Sequence, residues 1–367
     1  MSDLSEKRVV LGMSGGVDSS AAAALLLEQG FEVIGITLKL WPQDCMSRAE
    51  DKCCGPQAVS DARSVCHRLG IPFYLVDESG DFQSKVIGYF AEEYRAGRTP
   101  NPCVMCNQHL KFGTLAQRAR QLGAKWVATG HYARLEHTPD RTLLRRGLDP
   151  AKDQSYFLFS LRQDQLRNLL FPLGELSKSG TRNVAREASL KTADKEESME
   201  ICFVPDNDYG GFLKKSGLVQ SHQGDIVDQS GKVLGQHEGI EFFTIGQRRG
   251  LRISSPHPLY VISLDAKTNR VVVGEDTALL CKEFMVDRTN WIPWDNPAET
   301  IEATAKIRYN HPGTPATITP QPNGSAHVKL HSPQRAVTPG QACVIYQDDL
   351  VVGGGWIRQP LPYSPKD

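Results

Sequence analysis

The residue types best suited to chemistry cluster near the N-terminus, in Gly12-Met13-Ser14-Gly15-Gly16-Val17-Asp18-Ser19. Glycine carries no Cβ, so a backbone rich in it can approach a ligand closely and turn its N–H groups toward it. Before the loop, Val9, Val10 and Leu11 read as a buried strand; after it, Ala21 to Leu27 read as a helix. Strand, small-residue turn and helix start together gather N–H groups and the positive end of a helix dipole around a phosphate. No lysine precedes a Ser or Thr at the loop's end, which excludes the Walker pattern, and the glycine spacing is not G-x-G-x-x-G.

Thiols form the second group. The chain has nine cysteines, clustered rather than scattered, which favours metal or redox chemistry over structural disulfides. Cys103 and Cys106 make a C-x-x-C in a proline-bounded stretch, Arg98 to Cys106, that reads as an irregular loop. Cys106 is expected just before a helix through Leu110 and Leu115, a position that favours the thiolate. Cys202 follows a helical segment that returns toward the first domain, so three thiols are expected at one site. The C-x-x-C alone is also compatible with half of a zinc site. Cys45, Cys53 and Cys54 form another group with no assigned role, whereas Cys66, Cys281 and Cys343 read as buried small hydrophobes.

These residues need a scaffold, and the length of 367 residues favours two or three domains. Met1 to Lys7 are polar and lead straight into a strand, so no secretory signal and no membrane association are expected, and the location is expected to be cytoplasmic. The formal net charge of zero means that a nucleic-acid partner needs a local basic face, for which Arg248, Arg249 and Arg252 on a Gly-flanked turn are candidates. Up to His131, strands (Val9–Leu11, Phe31–Leu40, Pro72–Val76, Trp126–Thr129) alternate with helices, which argues a doubly wound parallel sheet. Ligands sit beyond the C-terminal ends of such strands, where the first loop, Leu38 and Gly130-His131 all fall. From Asp149 to Met199 the pattern reads as helical, with Gln163 to Leu170 and Thr181 to Ala188 as segments. A short central domain follows, and from Cys281 onward eleven of the 22 prolines punctuate β-type runs, indicating a barrel or sandwich. Expected boundaries give 1–208, a mostly β central domain at 209–280, and a C-terminal β domain at 281–367.

The S-G-G-x-D-S pattern resembles the PP-loop of ATP pyrophosphatases. Five motifs in order, Gly12–Ser19, Gly97–Pro102, Ala128–Tyr132, Lys152–Phe157 and Thr338–Gln341, extend the resemblance along the whole chain to the bacterial tRNA-specific 2-thiouridylases. That resemblance implies a PP-loop domain, a small central domain and a C-terminal β-barrel. It also implies 2-thiolation of the wobble uridine of tRNA with ATP, Mg²⁺ and an upstream protein that donates persulfide sulfur, and it gives no role to DNA. Gly12, Met13, Ser14, Gly15, Gly16, Val17, Asp18, Ser19, Leu38 and Gly130 would then hold ATP. Asn101, Pro102, Cys103, His131, Lys152, Asp153, Gln154, Arg308, Tyr309 and Gln341 would face tRNA. Cys202 matches the persulfide carrier and Cys106 the nucleophile, with a Cys106–Cys202 disulfide as the outcome.

Cys103 departs from the family, many of whose members carry an aspartate there. A thiol is a poor substitute for a carboxylate acid–base group, and a third thiol beside Cys106 and Cys202 opens an iron–sulfur version of the thiolation. Two other classes share the loop or the β-rich end: an ammonia-dependent PP-loop ligase, and an RNA-binding adaptor without enzymatic activity.

Overall fold

The computed structural model describes residues 4–40, 55–196, 201–204 and 207–361. Cys45, Cys53 and Cys54 lie outside them. The chain divides into two compact units, each assembled from separate stretches. One comprises Met1–Val86, Cys103–Phe203 and Asp349–Val351; the other comprises Ile87–Pro102, Val204–Asp348 and Val352–Asp367.

In the first unit, β1 (Arg8–Gly12) leads through the glycine loop into α1 (Val17–Glu28), followed by β2 (Glu32–Lys39), α2 (Pro56–Leu69) and β3 (Phe73–Asp77). Next come β4 (Trp126–Ala128), a hairpin of β5 (Ala133–His137) and β6 (Thr142–Arg146), and β7 (Leu169–Leu170). The main sheet runs β3-β2-β1-β4-β7, and every pairing in it is parallel. This is the expected doubly wound sheet. Its centre follows from the sequence: Val9, Val10 and Leu11 are fully buried, each side chain contributing about 1.5–3 kcal/mol. Ala21, Ala22 and Ala23 are equally buried and let α1 lie close on the sheet. Helix α2 starts with proline in its first turn and stops at Gly70, which adopts φ 70°.

Three expectations fail here. The stretch Arg98–Cys106 is not irregular throughout, because a helix begins at Pro102 and continues through a π-helical segment, Asn107–Thr114, to Gln121. Proline fits a first helical position, where its missing N–H costs nothing. The helix expected over Gln163 to Leu170 ends at Leu166, and Leu169-Leu170 joins the sheet beside β4. Among the described residues of the expected helical stretch 149–199, α-helix covers only Gln163–Leu166 and Lys178–Glu187.

The second unit contains two β structures. Strands β8 (Gly224–Val227), β9 (Val233–His237), β10 (Tyr260–Asp265) and β11 (Arg270–Gly274) form a four-stranded sheet over a core with Ile226, Val261 and Val271. Then come β12 (Leu280–Trp291), β13 (Ile301–Lys306), β14 (Thr314–Gln321), β15 (Ser325–Arg335), β16 (Ala342–Gln347) and β17 (Leu350–Pro360). They pair in the order β12-β15-β14-β13-β16-β17, and β12 pairs with β17, closing a six-stranded barrel. Closure leaves no open edge around Phe284, Ile318, Val328 and Ile345.

The helix Tyr89–Arg95 belongs to this second unit. Tyr94 stacks on Tyr209 with ring centroids 4.7 Å apart, and Tyr89 tilts against Trp356 at 6.0 Å. Beyond it, the Thr99 N–H donates to the Pro339 carbonyl at 2.9 Å.

Candidate active site

The parallel order reverses at β1, which pairs with β2 on one side and β4 on the other. In open sheets of this kind, that reversal forms the crevice for a ligand. The Gly12–Ser19 loop leaves β1 there, and Gly130 follows β4. The two are in close contact: a Cβ on Gly130 would lie 2.8 Å from the Asp18 carbonyl carbon and 2.9 Å from the Ser19 nitrogen. Only glycine allows this approach. Met13 is buried and donates its N–H to Ile36 at 2.8 Å, while its carbonyl accepts from the Thr37 hydroxyl at 2.7 Å. Leu38, half-buried, lies further along β2.

The loop is held by its own hydroxyls. Ser19 Oγ accepts from the Ser14 N–H at 3.2 Å and donates to the Gly16 carbonyl at 3.2 Å. Gly15 adopts φ 70°, and a Cβ there would lie 2.1 Å from the Ala58 carbonyl oxygen of α2. Among the described residues, neither the Gly15 nor the Gly16 N–H donates to an acceptor. Both lie beside the N-terminus of α1, where Val17 begins the helix. Free donors at a helix start suit an anion.

Sequence reading missed two lysines that reach this loop. Lys178 Nζ donates to Asp18 Oδ1 at 2.7 Å, and the Tyr132 hydroxyl donates to the same oxygen at 2.8 Å. Lys195 Nζ donates to the Gly15 carbonyl at 3.1 Å and to Asp61 Oδ2 at 2.5 Å. Neither lysine lies within a loop-spanning motif, so no local pattern announces them. Both come from distant parts of the chain, and each is paired with a carboxylate, Lys178 with Asp18 and Lys195 with Asp61.

Asp18 suits a magnesium ion carried with phosphate. Its Oδ1 takes both hydrogen bonds, Oδ2 takes none among the described residues, and the residue is half-buried. Magnesium is commonly held by one or two carboxylates plus substrate phosphates. The iron–sulfur reading fares differently. Among the described residues, no three His, Cys, Asp or Glu side chains are gathered closely enough to hold a metal ion, Cys103, Cys106 and Cys202 included.

Those three cysteines all belong to the first unit and are half-buried. Cys103 and Cys106 lie inside the helix that starts at Pro102, so Cys106 ends the first turn instead of preceding the helix. Cys202 precedes Phe203, whose ring packs edge-on against Phe82 at 5.7 Å. Cys66, Cys281 and Cys343 are core residues, and burial pushes their thiols up to about 12, 11 and 12 respectively.

The residues expected to face tRNA occupy varied settings. His131 is buried between Phe112 and Phe171, with Thr129 Oγ1 2.7 Å from its Nδ1; burial and the Lys111 charge hold it well below the usual histidine range. Asp153 is buried and accepts from the Gly147 and Ser155 N–H groups. Gln154 Oε1 accepts from the Tyr132 N–H, and Lys152 is half-buried. In the second unit, Asn101 and Pro102 are buried, Arg308 is exposed and Tyr309 half-buried. Gln341 Nε2 donates to Thr99 and Pro100 carbonyls. Arg248, Arg249 and Arg252 are exposed, and Arg248 and Arg252 line a cleft that continues to Leu259.

Three domain families match in order: a tRNA methyl transferase HUP domain over residues 7–206, a tRNA methyl transferase PRC-barrel domain over 211–275, and an aminomethyltransferase beta-barrel domain over 281–357. The tRNA-specific 2-thiouridylase MnmA of Clostridium acetobutylicum is 48% identical over 96% of this chain and 99% of its own length. This chain belongs to the tRNA-specific 2-thiouridylase family. Two further 2-thiouridylases are as similar: that of Geobacter metallireducens is 49% identical over 97% of this chain and 98% of its own, and that of Geotalea uraniireducens 50% identical over 97% and 96%. As a 2-thiouridylase family member, the chain keeps its glycine loop at the sheet's reversal point. No helix among the described residues is long and apolar enough to cross a membrane.

Proposed function

We propose that this protein is an ATP-dependent sulfurtransferase that replaces the 2-oxygen of the tRNA wobble uridine with sulfur, in the cytoplasm. The observation that carries this reading is the loop at the β1–β4 reversal: Gly15 and Gly16 N–H groups that meet no acceptor among the described residues, a helix start, Asp18, and two lysines brought from elsewhere. Residues 1–208 would carry the nucleotide chemistry, with 209–280 and 281–367 as the central and barrel domains.

The chemistry needs these parts. Uracil O2 is a poor leaving group, so it attacks the α-phosphorus of ATP and pyrophosphate departs. The loop N–H groups and Lys178 stabilise charge on the departing phosphates. Magnesium, held by Asp18 Oδ2, would add Lewis-acid neutralisation of the phosphate oxygens. The target base must leave its stack for C2 to be reached. A persulfide on Cys202, loaded by a donor protein, then attacks C2 through its terminal sulfur and AMP leaves. The Cys106 thiolate attacks Cys202 Sγ, which releases 2-thiouridine and leaves a Cys106–Cys202 disulfide for an external thiol to reduce. Cys103 would tune this site in place of an aspartate.

The test supplies ATP, unmodified tRNA and a persulfide donor, and follows pyrophosphate and 2-thiouridine. Both should form, Cys106→Ser and Cys202→Ser should abolish the thiouridine, and Cys103→Asp should retain it. Pyrophosphate release that depends on ammonia and not on tRNA would replace this reading with a ligase.

A further inference from the structure

The peptide between Gly15 and Gly16 has a property that the loop's sequence does not explain. It is flanked by glycine on both sides, and Gly15 already has φ 70°, so steric restrictions do little to fix which way the peptide faces. The peptide is planar and trans, so the Gly15 carbonyl and the Gly16 N–H point in opposite directions. Whatever holds the carbonyl therefore aims the N–H.

Lys195 holds it. Its Nζ donates to the Gly15 oxygen at 3.1 Å and is itself fixed by Asp61 at 2.5 Å. Asp61 lies on α2, the helix whose Ala58 backs Gly15, and also accepts from Gln57 at 2.8 Å. The main chain around Lys195 is fixed as well: Arg182 donates to the carbonyls of Ala193, at 2.6 Å, and Lys195, at 3.0 Å. Arg182 sits on the helix Lys178–Glu187, whose first residue binds Asp18. One helix thus braces the loop at two points, directly through Lys178 and indirectly through Lys195.

We propose that Lys195 is a positioning residue for the triphosphate: by holding the Gly15 carbonyl it keeps the Gly16 N–H turned toward the phosphates. This rests on the reading that the loop binds ATP. Without Lys195 the peptide can turn over, exchanging a donor for an acceptor at the anion.

The test compares wild type with Lys195→Met, Lys195→Arg and Asp61→Asn. A non-hydrolysable ATP analogue is titrated calorimetrically, and KM for ATP and for tRNA are measured in the thiolation assay. Lys195→Met should weaken analogue binding and raise KM for ATP about tenfold to a hundredfold, the loss expected for one hydrogen bond to a charged group. KM for tRNA and the thermal midpoint should stay near wild type. Lys195→Arg should recover most of the affinity, and Asp61→Asn should fall between. If wild type binds the analogue and Lys195→Met binds it equally well, the inference is overturned. It is also overturned if KM for tRNA rises as much as KM for ATP, or if arginine rescues nothing. If wild type does not bind the analogue at all, it is the ATP reading of the loop that fails.

Discussion

Gln341 and Pro100 are joined by a hydrogen bond, from the Gln341 Nε2 to the Pro100 carbonyl at 3.0 Å, and the same nitrogen reaches the Thr99 carbonyl at 3.2 Å. Beside it, a Cβ on Gly340 would lie 2.8 Å from the Thr99 oxygen. Two motifs that the sequence separates by more than two hundred residues therefore form one clasp in the second unit.

Stability should report this clasp. Gln341→Leu leaves two carbonyls without their donor, at a cost of about 1–3 kcal/mol. Gln341→Glu should cost more, because a carboxylate would face two carbonyl oxygens. Urea unfolding followed by tryptophan fluorescence should rank the midpoints as wild type, then Leu, then Glu. Unchanged midpoints in both variants would show that Gln341 serves only a partner.

Acid should act through His131. Its folded pKa lies well below 6.5 because the ring is buried, so the native state keeps it neutral. Above about pH 6.5 both folded and unfolded forms are neutral and the residue adds no pH dependence. Below that, the unfolded chain takes a proton that the native state refuses, and stability falls by up to about 1.4 kcal/mol per pH unit for this one group. His109, His137, His237 and His311 shift in the same direction. Proton uptake on urea unfolding at pH 5.5 should therefore be about one proton smaller in His131→Gln than in wild type. Equal uptake would mean that the native ring is accessible to protons.

The thiols should separate by labelling rate. Burial keeps Cys66, Cys281 and Cys343 protonated at pH 8, with values raised to about 12, 11 and 12. Brief iodoacetamide treatment and peptide mass spectrometry should find Cys103, Cys106 and Cys202 modified well before those three, which should react only in denaturant. Native Cys343 reacting as fast as Cys106 would contradict the burial argument.

The arginine turn should appear in salt dependence. Replacing Arg248, Arg249 and Arg252 together by alanine removes up to three phosphate contacts. The slope of log affinity for tRNA against log salt should become shallower by about 2–3. KM for ATP should be unaffected. A slope identical to wild type would place the RNA surface elsewhere.

The sheet and the glycine loop were legible because their signals are local: a valine run, a cluster of small residues, an alanine-rich helix. Parts of β13, β15, β16 and β17 were legible for the same reason, whereas β12 and β14, the latter interrupted by Pro315 and Pro320, were not. Leu169-Leu170 was not, because two apolar residues continuing a helical pattern look like its tail until a neighbouring strand pairs with them. Cys106 was misplaced because the prolines at 100 and 102 suggested a loop, whereas Pro102 is a helix start. Lys178 and Lys195 had no signal at all: what makes them matter is distance in space to Asp18 and Gly15, which no spacing along the chain encodes.

The first unit includes Asp349, which accepts from Arg134 and Arg145, each at 2.6 Å, and whose carbonyl accepts from the Arg146 N–H at 2.8 Å. During synthesis, then, the nucleotide-loop unit emerges early but acquires this anchor only after most of the barrel has been translated. The β5–β6 hairpin waits for it with two guanidinium groups lacking that carboxylate. No single proteolytic cut separates the two units, and no contiguous fragment reproduces either one.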